Sequence, residues 1–183
     1  MFRTSPEEFY AVVTNVKTGR PEYIQLTDLK EKEQMEYLRA SGSLPFVSRP
    51  VKIGDQLYLD GGIADSVPIE KALSMGFDRV IVVLTRPEGY RKQQGKALPA
   101  KVLYGRYPAF VKTNNDRWKK YNAQLDVVEM LEKEGRVFVI QPSRTLKISR
   151  LEKDPEVLQE MYDLGASDAR ERLEAMMEYL KEK

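Results

Sequence analysis

Val80-Ile81-Val82-Val83-Leu84 is an unbroken apolar run, mostly β-branched, entered through Asp78-Arg79 and left through Thr85-Arg86-Pro87. A strand with one wet face would alternate polar and apolar residues, so this run predicts a strand buried on both faces of a parallel sheet. Such a strand needs helices above and below it. The remaining sequence provides extended and helical patterns in alternation, which predicts an α/β fold with a mainly parallel sheet. At 183 residues the chain has the length of one domain, and a single folding unit over 1–183 is expected.

Ser5-Pro6-Glu7-Glu8 reads as the start of a short helix, with Ser5 as N-cap and Pro6 at its first position. Residues 10–16 and 23–26 are rich in β-branched and aromatic side chains. Lys17-Thr18-Gly19-Arg20 separates them, so they predict a hairpin or adjacent strand pair. Asp28 with Glu31 predicts a capped helix to about Ala40. Leu44-Pro45-Phe46 and Arg49-Pro50 force extended backbone after it. Two short strands at 51–53 and 56–59 are joined by Gly54-Asp55 and end at Asp60. A helix opens at Pro68 and stops at Gly76. Residues 86–111 read as irregular with one short helix. Thr113-Asn114-Asn115-Asp116 reads as a cluster of caps before an amphipathic helix carrying Trp118, Tyr121, Leu125, Val128 and Leu131. Gly135 ends it, a strand follows at 136–141, and Asp154-Pro155 opens a long helical region that Gly165 and Ser167 break in two.

Composition excludes several chemistries. The chain has no cysteine and no histidine. A disulfide framework, a thiolate nucleophile, a Ser-His-Asp triad and an imidazole metal site are therefore all out of reach from this chain alone. Acid–base work falls to Asp, Glu, Lys or Tyr. The carboxylates follow no metal-loop spacing, so neither a structural metal nor a cofactor is expected. No apolar stretch approaches the ~20 residues of a membrane span. The chain reads as soluble and untargeted, and zero cysteines are compatible with a cytoplasmic home.

The stretch YLDGGIADSVP, 58–68, ends a strand in a carboxylate followed by two glycines. Read alone, Asp-Gly-Gly is a turn more often than a catalytic acid or base. In an open α/β sheet, however, functional groups gather where strands end. From Tyr37 the sequence YLRASGSLPFVSRPVKIGDQLYLDGGIADSVPIEKALSMGFDRVIVVLTRP resembles the C-terminal part of the patatin-like phospholipase family, as do TNVKTG at 14–19, RPEGYRK at 86–92 and the C-terminal LEKDPEVLQEMYDLGASDA, the last two resembling a bacterial subgroup. The resemblance implies a partial three-layer α/β/α patatin-like fold and a lipid acyl hydrolase that works on carboxylic esters with a Ser-Asp dyad. It further implies that Asp60 is the general base of the dyad, with Gly61 and Gly62 shaping its turn. The chain has no Gly-x-Ser-x-Gly nucleophile elbow and no Gly-rich loop ahead of a first strand. Ser41 and Ser43 do not fit the elbow. The expectation is the C-terminal part of a longer enzyme, inactive alone and prone to self-association through unpaired strand edges.

Between 86 and 120 there are ten basic residues against two acidic ones, Glu88 and Asp116, interleaved with Tyr90, Tyr104, Tyr107, Phe110, Trp118 and Tyr121. Ordinary solvated charge is the first reading, and Trp118 and Tyr121 read as core. Peripheral contact with an anionic membrane surface comes second, and no nucleic-acid partner is expected. The rival to the hydrolase is a non-catalytic lipid- or protein-binding module in which Asp-Gly-Gly is a structural turn.

Overall fold

The computed structural model describes residues 6–95, 98–149 and 151–181. Two compact units emerge, one built from 1–68 and 92–124, the other from 69–91 and 125–183.

The first unit is organised by a four-stranded sheet of β1 (Phe9–Asn15), β2 (Pro21–Leu26), β3 (Val51–Ile53) and β4 (Gln56–Asp60), in the order β2-β1-β4-β3. Every pairing in it is antiparallel. The mainly parallel sheet expected from the alternation of patterns is therefore corrected. The β1–β2 and β3–β4 links are too short for a crossover, so they close as hairpins, and antiparallel strands follow. Gly54, at φ 55°, makes the second of these turns.

Tyr58 and Leu59 are neighbours on β4 and so face opposite sides of the sheet. Tyr58 joins Val13, Ala40, Val51 and Ile53 in one cluster, and Leu59 joins Val16, Ile63, Tyr104 and Phe110 in the other. Ala40 comes from α1 (Lys32–Ser41). Tyr104 and Phe110 come from α3 (Leu98–Tyr104) and α4 (Pro108–Lys133). Helices thus cover both faces of this sheet, and the α/β reading holds.

Several boundaries move. The helix expected from Asp28 begins at Lys32, because Gln34 Oε1 reaches back to accept the N–H groups of Thr27 (2.6 Å) and Asp28 (2.8 Å) and holds them outside it. Leu44-Pro45-Phe46 makes a turn rather than an extended stretch, closed by Ser48 N–H donating to Leu44 O at 2.9 Å. Residues 6–8 are not helical, and the N-cap expected at Ser5 lies outside the described residues. Thr113, Asn114, Asn115 and Asp116 lie inside α4, which starts at Pro108, where a missing N–H costs nothing.

In the second unit β5 (Val80–Val83) pairs in parallel with β6 (Val137–Ile140). The apolar run is a strand as expected, but burial on both faces is corrected. Among the described residues β5 has one partner strand, and Val83 is 70% exposed. α2 (Ile69–Ser74) packs on β5 and α5 (Pro155–Lys181) on β6. α5 is continuous through Gly165 and Ser167, not broken there. Its Tyr179 hydroxyl accepts the Val80 N–H at 3.0 Å and donates to Arg136 O at 2.8 Å, which ties the helix to the entry of both strands. No helix among the described residues is long and apolar enough to cross a membrane.

Candidate functional site

Asp60 is the last residue of β4 and pairs with Val13 of β1. Its N–H donates to Ser43 O at 2.9 Å, and its carbonyl accepts the Thr14 hydroxyl at 2.8 Å. The strand end is thereby held from both sides. Directly after it the chain coils into one 3-10 turn, Gly61–Ile63, and Asp60 Oδ1 accepts the Gly62 N–H at 2.7 Å. Among the described residues nothing hydrogen-bonds Oδ2. The half-buried side chain is oriented by one oxygen and leaves the other as an acceptor.

The two glycines serve different ends. A Cβ on Gly61 would stand 2.2 Å from Val12 O, so only glycine lets the turn lie against β1. A Cβ on Gly62 would meet Asp60 Oδ1 at 3.1 Å and Arg117 Nη2 at 3.2 Å. The carboxylate and a guanidinium of α4 therefore share one side of that glycine. In the sequence Arg117 is only one charge of the basic segment, and nothing in its local sequence ties it to Asp60.

The rest of the loop is fastened by side chains that sequence reasoning passed over. The fully buried Thr14 hydroxyl accepts the Ala64 N–H at 3.2 Å besides donating to Asp60. Ser66 Oγ donates to Gly62 O at 2.5 Å. Buried Asp65 accepts from the Tyr23 hydroxyl and, at 2.5 Å, from Gln124 Nε2, while Gln124 Oε1 accepts the Val67 N–H at 3.2 Å. Asp65 lies in the quoted stretch, just ahead of the helix that opens after Pro68, and joins the loop to β2 and α4. On the neighbouring strands Tyr58 donates to Glu22 at 3.0 Å, and burial, then that hydrogen bond, holds its hydroxyl well above the usual phenol range.

Thr14→Val tests how much this bracing contributes. The substitution keeps the shape, leaves the Asp60 carbonyl without the Thr14 hydroxyl and removes one of the two acceptors of the Ala64 N–H, the other being Gly61 O at 3.1 Å. An expected loss of about 2 kcal/mol should show in urea unfolding as a lower midpoint at constant m.

Ser43 is buried, and its Oγ donates to Arg39 O at 2.9 Å, so its hydroxyl is committed to the end of α1. The basic segment divides between the two units, and several of its members are engaged. Arg91 pairs with Asp126 and Glu129, both at 2.9 Å, and Lys92 stands 4.3 Å over the buried Tyr121 ring. Trp118 is only half-buried. Lys96 lies outside the described residues. Arg20, Lys112 and Lys120 line a cleft with Asp116 and Ile63 in the first unit, and Asp60 is not among its lining residues. Among the described residues no group of three carboxylates gathers as a metal site would require.

The family model for patatin-like phospholipase matches residues 3–73, which hold β1, β4, Asp60 and the 3-10 turn. A second model, a domain of unknown function called DUF6363, matches residues 107–181. Among curated proteins, the uncharacterized protein YjjU of Escherichia coli (strain K12) is 26% identical over 185 residues, covering 98% of this chain and 50% of that protein. The chain spans about half the length of this curated relative.

Proposed function

We propose that this chain is the aspartate-bearing part of a patatin-like lipid acyl hydrolase that cleaves carboxylic esters with a Ser-Asp dyad. Asp60 is its general base, and the serine comes from polypeptide outside these residues. The observation that carries this reading is a strand-end carboxylate, oriented through Oδ1 by Gly62 N–H and with no hydrogen bond to Oδ2 among the described residues, inside the stretch matched by the patatin-like phospholipase model. Oδ2 takes the proton of the attacking serine as its oxygen bonds to the ester carbonyl carbon. The proton then goes to the departing alcohol, and water releases the acyl group by the same route in reverse. The exposed cations of 86–120 give such an enzyme a peripheral hold on anionic lipid.

One observation favours the rival reading of a non-catalytic module. The Oδ1 to Gly62 bond is also what a purely structural turn would use. Fluorophosphonate labelling separates the two. Residues 1–183 alone should take no label and turn over no p-nitrophenyl ester, whereas a protein joining this chain to a Gly-x-Ser-x-Gly segment should be labelled on that serine. An unlabelled longer protein would favour the module, and specific labelling of Ser41 or Ser43 would refute the assignment of the nucleophile.

A further inference from the structure

In the second unit a cleft of about 190 Å³ opens at the carboxyl ends of β5 and β6, between the loops that leave the two strands and one face of α5. Carboxyl ends of parallel strands are where α/β sheets gather ligands. The walls are mostly apolar, with Leu84, Leu146, Ile148, Met161 and Leu164 among them, and two arginines, Arg86 and Arg144, are the charged residues of the lining. Among the described residues Arg86 makes no hydrogen bond or ion pair, and its guanidinium stands 5.3 Å from the centre of the Tyr90 ring. Arg144 pairs with Glu160 at 2.8 Å, but both side chains are more than half exposed, so this pair is weak and its cation can be drawn to another anion.

The third lining feature is Gly165, in the middle of α5. Glycine is the least favourable residue after proline in a helix interior. Gly165 has no positive φ to require it, and a Cβ there would meet nothing within 4 Å. Neither backbone conformation nor close packing explains it. What it does is keep the α5 wall of the cleft clear. The α5 wall is also anchored, since Asp168, one turn along, accepts the Ser143 N–H at 2.9 Å in the loop after β6.

We propose that this cleft binds a medium-chain carboxylate, its tail lying in the space left by Gly165 and its charged end held by Arg86 and Arg144. An apolar slot with cations at its lining fits an amphiphile with one anionic end. The volume lies below the ~300–1,000 Å³ of sites for drug-sized ligands, which suits a single short chain rather than a two-chain lipid. This binding does not depend on the hydrolase reading.

The probe is octanoate, titrated calorimetrically into the full chain, with octylammonium of equal chain length as the charge control. Octanoate should bind saturably at one site and octylammonium at least about tenfold more weakly. Arg86→Ala with Arg144→Ala should weaken octanoate about tenfold or more without altering the circular dichroism. Gly165→Leu should abolish binding, and Gly165→Ala should raise Tm by about 3 °C. If Gly165→Leu fails to fold, the double charge reversal Arg86→Glu with Arg144→Glu, at solvent-accessible positions, replaces it and should also abolish binding. Equal binding of the two amphiphiles, absence of saturable octanoate binding, or full binding by Gly165→Leu or the charge reversal would each overturn the proposal.

Discussion

Asp60→Asn, made in a longer protein that carries this chain together with a Gly-x-Ser-x-Gly serine, is expected to lower kcat/KM for ester hydrolysis about a thousandfold with the fold intact. Such a loss corresponds to about 4 kcal/mol of transition-state stabilisation. The reason is the division of labour between the two carboxylate oxygens. Oδ1 accepts the Gly62 N–H, a role the amide oxygen of asparagine can keep, so the 3-10 turn should close as before. Oδ2 becomes an NH2 group that cannot take a proton, and the serine is left without its base. Because the turn survives, this variant separates catalysis from structure. Asp60→Ala would lose both and decide nothing by itself. Hydrolysis at the wild-type rate by Asp60→Asn, with an unchanged Tm, would assign the carboxylate to the turn alone.

The placement of that carboxylate at a strand end is largely legible in the sequence. Gly54-Asp55 between two apolar runs announces the β3–β4 hairpin, and the end of the second run falls at Asp60. Apolar spacing likewise revealed α4, where Tyr121, Leu125, Val128 and Leu131 are all buried. What the sequence hides is pairing at a distance. β1 and β4 are separated by two strands and a helix, and no local residue pattern dictates that they meet antiparallel at Val13 and Asp60. Alternation of strand and helix patterns points to parallel sheets on average, yet here two short links closed as hairpins and left parallel pairing to β5 and β6. The start of α4 was misplaced for a related reason. Thr113 and Asn114 are good caps in isolation, but Tyr104 and Phe110 pack together in the cluster over the sheet and carry the helix back to Pro108. Arg117 and Gln124 reach the loop after Asp60 only because α4 runs beside it, and helical spacing records which face they share, not what that face touches.

Gly61→Ala is expected to be the most damaging single-methyl change in the first unit, with a loss of at least about 3 kcal/mol. The added Cβ would lie 2.2 Å from the Val12 carbonyl oxygen, 2.5 Å from its carbon and 2.8 Å from its Cβ. Backbone cannot rotate out of the way as a side chain can. Val12 sits in the middle of β1, paired with Tyr23 of β2, so relief on that side means pulling the central strand away from its partner. Relief on the other side means lifting the 3-10 turn, which breaks the Thr14 bonds to Asp60 O and Ala64 N. Gly62→Ala is the informative contrast. Its nearest atoms are the ends of two side chains, Asp60 Oδ1 at 3.1 Å and Arg117 Nη2 at 3.2 Å, which can yield by a few tenths of an ångström. Its cost should therefore fall on the orientation of the carboxylate rather than on the fold. Urea unfolding followed by circular dichroism reads the difference, with Gly61→Ala far below wild type and Gly62→Ala close to it. The reverse order would mean that the turn does not lie against β1 at all, and Asp60 would lose the support that aims it.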